Sequence, residues 1–442
     1  MLSTTEPLIS LTPAPLPSPL PQRFHRLKSD VHKRIVETLD LSKLNRWKPE
    51  RLRREVRSMA VQLVDSSPER FSDSEHERLI DEIMSDVFGL GPLDQLMHDP
   101  HITDILVNGP HQVYVERDGK LVLSPVKFTD EGHLLQIIQR VAARVGRRAD
   151  ELSPTLDARL EDGSRVHAVL APVALKGPVL SIRRFGVRLA GNDLLNNHTM
   201  PFEVLELLKA AVEARVSILV SGGTGSGKTT LLNALSAFIP DDERLITIED
   251  SAELKLRQKH VIPLETRPPN VEGAGEVKQR ELVRNALRMR PDRIILGECR
   301  AGEALDMLQA MNTGHEGSLT TVHANDTRDA LTRLEMMVLM AGIELPVSVI
   351  RYYVATAIGL IVQLSRLKGG KRKVVRVSEI AGLKDSHYEV YDVFGYRQQG
   401  VRDGRAYGEF YATGYKPKCL ERLRSMGIEL PDSLFTERVI PE

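Results

Sequence analysis

The chain has 442 residues, with 60 Lys plus Arg matched by 60 Asp plus Glu for a formal net charge of zero, and it holds two cysteines. Such a length accommodates about two to three domains and a large buried core. The balanced charge gives no global sign of a nucleic-acid binder, and Cys299 and Cys419 exclude a disulfide framework and a metal-ligand spacing, which fits a reducing cytosol.

The start, MLSTTEPLISLTPAPLPSPL, lacks the basic opening and continuous apolar run of a secretory signal. Apolar runs such as AIGLIVQL fall far short of the roughly 20 residues that a bilayer requires, so any membrane role is expected to be peripheral. Residues 1–21 read as a Pro-rich disordered tail. Residues 22–70 read as a basic helical segment, because Phe24, Leu27, Val31, Ile35 and Leu39 recur at helical spacing. From Gln22 to Ala60, twelve Lys/Arg stand against five Asp/Glu. The basic face could meet anionic lipid or a partner; a solvated face against the rest of the protein is the plainer reading.

Residues 71–190 read as a smaller α+β domain. Its first helix starts at a capping box, Ser72 with Glu75, and ends at Gly89. DILVNG, QVYVER and KLVLSPV follow as short strands with a hairpin turn at Asp118-Gly119, then a helix from Gly132 to Val145, then strands in ARLEDGSRVHAVLAP and PVLSIRRF. From about Met200 helix and strand alternate, so residues 191–442 read as an α/β domain with a mostly parallel sheet and a C-terminal extension. Past Leu383 the reading is of short strands and a helix near Pro417 to Met426.

The chemistry concentrates in that second half. GGTGSGKTT, Gly222, Gly223, Thr224, Gly225, Ser226, Gly227, Lys228, Thr229 and Thr230, fits G-x-x-x-x-G-K-[ST] between an apolar strand and a helix. Glycines let backbone N–H groups close around phosphate; Lys228 would bridge the outer phosphates and the Thr229 hydroxyl would meet Mg2+. A Gly-rich turn with a chance lysine is the bland alternative. Two strand ends deliver carboxylates to the sheet edge where ligands bind: TIEDSAEL brings Glu249, Asp250 and Glu253, and RIILGECR brings Glu298. Glu253 and Glu298 together could hold the magnesium shell and orient or deprotonate water, or either could merely cap a helix. GSLTTVHAND delivers His323, a candidate reporter of the terminal phosphate or else a turn residue, with His315 just before it. Arg165, Arg183 and Arg184 are candidates to meet phosphoryl charge from another domain or subunit, or to form surface ion pairs.

GGTGSGKTT, TIEDSAEL, RPDRIILGECR and TTVHAND, in that order, resemble the Walker A, Asp box, Walker B and His box of the type II/type IV secretion ATPases. DILVNGPHQVYVERDGKL, DARLEDGSRVHAV, GPVLSIRRF, ETRPPNVEGAGEV and ATGYKPKCLERLRSMGIELPDSLF are similar to the tight-adherence (Flp-type) pilus branch, the CpaF/TadA-like members. The resemblance implies a RecA-like P-loop NTPase domain and a hexameric ring using ATP and Mg2+ at the cytoplasmic face of an inner membrane. It also implies platform proteins as partners, with pilin subunits reached indirectly. It assigns Glu253 and Glu298 as catalytic carboxylates also serving the metal, His323 as the His-box residue, and Arg165 with one or both of Arg183 and Arg184 as phosphate contacts. Ser251 stands where many relatives have Pro, which loosens a turn but removes no catalytic atom.

The expected function is an ATPase motor for pilus assembly. The alternatives are a motor of conjugation or effector secretion and an ATP-gated scaffold that binds without turnover. No direct nucleic-acid contact is expected, because the basic cluster lies far from the catalytic half and lacks interleaved aromatics.

Overall fold

The computed structural model describes residues 22–38, 49–117, 119–184, 190–269 and 274–441; the tail at residues 1–21 and Leu39 lie outside the described residues. The chain divides into two units, residues 1–117 with 121–184, and residues 118–120 with 185–442. Among the described residues, no helix is long and apolar enough to cross a membrane.

In the first unit, α1 (Gln22–Thr38), α2 (Pro49–Asp65) and α3 (Asp73–Phe88) bring their apolar stripes together. Phe24, Val31 and Ile35 meet Val56, Ala60 and Val64 over Leu79 and Ile83 of α3. The capping box forms: Ser72 Oγ accepts the Glu75 N–H, and the Glu75 carboxylate accepts the Ser72 N–H. Periodicity thus selects the buried face, while Arg26, Arg34, Arg54 and Arg57 stay exposed. After the short helix α4 (Asp94–Met97) comes a six-stranded sheet, ordered β3-β2-β1-β6-β5-β4. Its strands are β1 (Ile102–Asn108), β2 (Val113–Arg117), β3 (Lys120–Leu123), β4 (Thr155–Arg159), β5 (Arg165–Val169) and β6 (Val179–Arg183). Helix α5 (Glu131–Arg144) shares a core with one face of this sheet, where Leu134, Ile137 and Ile138 join Leu156, Val166, Leu180 and Ile182.

The second unit opens with α6 (Gly191–Asn196) and α7 (Phe202–Glu213), then β7 (Ile218–Gly222), α8 (Lys228–Ser236), β8 (Leu245–Glu249), β9 (Val261–Glu265) and α9 (Gln279–Ala286). It continues through β10 (Arg293–Cys299), α10 (Glu303–Asn312), β11 (Leu319–Val322), α11 (Thr327–Leu339) and α12 (Val347–Ala357). It closes with β12 (Leu360–Arg366), β13 (Arg372–Lys384), β14 (His387–Arg402), β15 (Arg405–Ala412), α13 (Cys419–Ser425) and β16 (Arg438–Ile440). All ten strands join one sheet, β16-β15-β14-β13-β12-β7-β11-β10-β8-β9, parallel from β12 to β9 and antiparallel from β12 to β16. Every residue of β7, β8 and β11 is buried, as a parallel sheet covered on both faces requires. Alternate residues serve opposite cores: Ile218 and Val220 face one, Leu219 with Ile246 and Ile248 the other.

Two features differ from the sequence reading. Past Leu383 the shorter β15 and β16 are accompanied by a strand of 16 residues, β14, because β13 to β16 extend the parallel sheet as an antiparallel meander whose length comes from neighbour pairing. Strand β9 was not expected; Pro263 masks it, and it sits at the sheet edge where a missing N–H is tolerated.

Candidate active site

The carboxyl ends of β7, β8, β10 and β11 form one edge. At the first, Gly222 closes β7 and the loop runs to Lys228, the first residue of α8. A Cβ on Gly222 would stand 2.5 Å from Ser226 Oγ and 2.7 Å from the Leu364 carbonyl oxygen, so only glycine fits that turn. Gly225 and Gly227 hold φ of +69° and +100°, in the left-handed region. No side chain caps the start of α8, which leaves its amino-terminal N–H groups for an anion. Lys228 Nζ donates to the Gly222 and Gly223 carbonyls at 3.0 and 3.2 Å and lies 3.9 Å from Glu298, while Thr229 and Thr230 follow half-buried in the first turn. A glycine-lined turn, an uncapped helix start and a tethered lysine fit a nucleotide polyphosphate.

Strand β10 carries Glu298 through an irregularity. Its register with β11 breaks between Leu296 and Cys299, and Thr321 Oγ1 donates to the Gly297 carbonyl across the gap at 2.8 Å. A Cβ on Gly297 would approach Glu249 Cγ to 2.8 Å, which explains why glycine precedes the acid here. Glu298 accepts from Arg300 at 2.6 and 3.0 Å, and Arg300 also reaches Asp250 at 2.8 Å. Burial alone would lower the Arg300 pKa, yet its hydrogen bond with Glu298 and the nearby charges of Glu298 and Asp250 hold it above the ordinary value. Cys299 is fully buried beside this site and its thiol is pushed far up by desolvation, so it is inert.

Glu253 sits in the turn after β8, and the buried Glu249 builds that turn. Its carboxylate accepts the N–H of Glu253 at 2.9 Å and of Leu254 at 3.1 Å. The sequence marks Glu249 only as one of three acids at the strand end, and this bracing role emerges from the fold. His323 follows β11, with Nδ1 3.5 Å from Thr224 Oγ1 of the glycine loop. Arg333 donates to its carbonyl. His315 precedes β11 and lies toward the opposite end of that strand, away from the loop.

The arginines of the first unit lie in its sheet. Arg165 pairs in register with Arg183 on one side and Arg159 on the other, so the three line one row on the face opposite the α5 core. Sequence reading missed Arg159, whose membership depends on strand register. Arg184 is used otherwise: its guanidinium donates to the carbonyls of Asp99 and, at 2.8 Å, Ile102, tying the chain before β1. Two further arginines were missed in the second unit. Arg372 Nε donates to the Gly225 carbonyl at 2.9 Å, and Arg366 Nη1 stands 3.3 Å from where a Gly225 Cβ would be. Their one sequence signal is the basic run flanking Gly369-Gly370.

A family model described as type II/IV secretion system protein matches residues 86–402. A putative conjugal transfer protein of Mycobacterium tuberculosis (strain CDC 1551 / Oshkosh) is 38% identical over 334 residues, 73% of this chain and 93% of that protein. The conjugal transfer protein TrbB of Rhizobium radiobacter is 35% identical over 322 residues, 71% of this chain and 94% of that protein. Among solved structures, the VirB11 ATPase of the Brucella suis type IV secretion system, in complex with sulphate, is 32% identical, covers 67% of this chain and 97% of that chain, and has a TM-score of 0.36. A match spanning most of the chain, with relatives this similar along nearly their whole length, places the chain in the type II/IV secretion system protein family.

Proposed function

We propose that this protein is an ATP-hydrolysing motor of a membrane-associated secretion or pilus machine. The observation that carries the proposal is the convergence, within one unit, of the glycine loop, Lys228, Glu298 and His323: Lys228 lies 3.9 Å from Glu298, and His323 lies 3.5 Å from Thr224. In this reading the loop binds ATP and Lys228 neutralises its outer phosphates. Mg2+, held with the help of Thr229, Glu253 and Glu298, would screen the phosphate charge. Glu298 and Glu253 orient or deprotonate the attacking water, and His323 senses the terminal phosphate through the loop. Arg165 and Arg183 supply charge for the transition state, Arg159 shares their row, and Arg184 is a weaker candidate because its guanidinium is committed to two carbonyls. Assembly as a homo-hexamer against inner-membrane platform proteins at the cytoplasmic face completes the proposal.

The machine served is proposed to be a tight-adherence (Flp-type) pilus, on the motifs running from DILVNGPHQVYVERDGKL to the C-terminal tail. Conjugation or type IV secretion is the second reading, favoured by the names of the two conjugal transfer relatives above. Deleting the gene and scoring surface filaments against DNA transfer separates them. For the motor itself, Glu298→Gln is expected to keep ATP binding and lower phosphate release by about 10²-fold or more. Undiminished release places the base elsewhere. Tight ATP binding by the unaltered protein with Mg2+ and no phosphate release, even in the presence of its membrane partners, makes the protein a nucleotide-gated scaffold instead.

A further inference from the structure

The hairpin joining β12 to β13 contacts the glycine loop, and nothing in the four sequence boxes accounts for it. Leu364 pairs in register with Gly222, so Arg366, two residues further, extends past the end of β7 and runs beside the loop. Arg366 and Arg372 are opposite each other in the antiparallel ladder, and the turn between them is closed by Leu367 N–H to the Lys371 carbonyl at 2.8 Å and by Gly370 N–H to the Leu367 carbonyl at 3.0 Å. Paired residues project to the same face, so both guanidiniums approach the loop together. Arg372 Nε donates to the Gly225 carbonyl at 2.9 Å, and Arg372 Cδ lies 3.3 Å from where a Cβ on Gly227 would be.

An anion-binding loop works only with its N–H groups turned toward the ligand and its carbonyls turned away. Gly225 and Gly227 both hold the positive φ that glycine alone adopts freely, and Arg372 bonds the carbonyl of one while packing on the other. We propose that Arg372, supported by Arg366 on a hairpin closed by two backbone hydrogen bonds, is a positioning residue that holds the phosphate loop in its binding conformation. This rests on the reading that the loop binds nucleotide. The hairpin raises the competent fraction of the loop and so tightens every nucleotide that the loop holds, whatever its terminal phosphate.

The test uses the full-length protein and fluorescent ADP and ATP analogues, with amide hydrogen exchange measured without nucleotide. Arg372→Gln is expected to keep the wild-type thermal midpoint, to speed exchange at the amides of Thr224 to Gly227, and to raise Kd for both analogues alike by about tenfold. Wild-type Kd values for both overturn the inference. So does a loss confined to the ATP analogue, which makes Arg372 a direct contact of the terminal phosphate. Should Arg372→Gln fail to fold, Arg372→Lys, a cation without the planar fork, is judged by the same Kd values and exchange rates. Lys228→Ala measured alongside separates the two levels. If it also binds like wild type, the loop reading itself falls; if it alone loses binding, only the hairpin inference does.

Discussion

The Glu249 carboxylate accepts the backbone N–H of Glu253 at 2.9 Å, so one acid of the strand end holds in place the turn that carries another. Glu249 is 4% exposed, and the same carboxylate takes the N–H of Leu254. Removing it leaves two donors without their acceptor and frees the turn. Glu249→Ala is expected to lower kcat for ATP hydrolysis by about 10²-fold, as a misplacement of about 1 Å does, with nucleotide Kd nearly unchanged. Gly297→Ala, whose Cβ would meet Glu249 Cγ at 2.8 Å, should produce the same split between kcat and Kd. Steady-state kinetics with equilibrium nucleotide titration checks both.

At the opposite end of the sheet, Arg293 is fully buried and forks onto Glu243 at 2.6 and 2.7 Å, with a third bond to the Val212 carbonyl at 2.6 Å. Breaking this buried pair on one side leaves Glu243 with only the longer contact to Arg215, at 3.4 Å. Arg293→Ala should therefore destabilise the second unit by about 3–5 kcal/mol, read from chemical denaturation. Replacing the pair together, Arg293→Met with Glu243→Leu, should recover most of that loss.

Glu379 anchors the C-terminal extension. Buried in β13, it accepts from Tyr415 Oη at 2.8 Å and from the N–H groups of Lys418 and Cys419 at 2.7 Å each. Glu379→Ala leaves these part-buried donors without their acceptor, and should cost about 1–3 kcal/mol and release α13. Limited proteolysis should then cut near Pro417 to Met426 in the variant before the wild type.

Acid should weaken the helical part of the first unit through His32. Burial lowers the His32 pKa below its ordinary 6.5; the Asp86 carboxylate opposes the shift, while His133, Arg140 and Lys28 add to it. A folded state that resists protonation has its full stability above the unfolded value, and loses it as pH falls below about 6.5 until the depressed folded value is passed. Thermal midpoints measured from about pH 7.5 to about pH 5.5 should fall for the wild type and fall less for His32→Gln, which stays neutral throughout.

The local parts of this protein were written in its sequence. The strand–loop–helix around Lys228 needs glycines at positive φ and a lysine at a set spacing, the buried parallel strands need continuous apolar runs, and the first cap of α3 needs Ser72 and Glu75. Each depends on neighbours within a few residues, which is the range over which backbone sterics and hydrogen bonding act. Glu298 and His323 were legible as strand-end residues for the same reason.

The tertiary structure alone decided which distant groups meet. Glu249 became a brace because β8 and β10 run side by side and Gly297 leaves room for its side chain. Arg372 came to the glycine loop because β12 pairs with β7 across more than a hundred residues of chain, and the Arg159, Arg165 and Arg183 row exists only in the register of β4, β5 and β6. Register and strand order are set by the burial of whole sheet faces, a sum over many side chains that no short window of sequence contains.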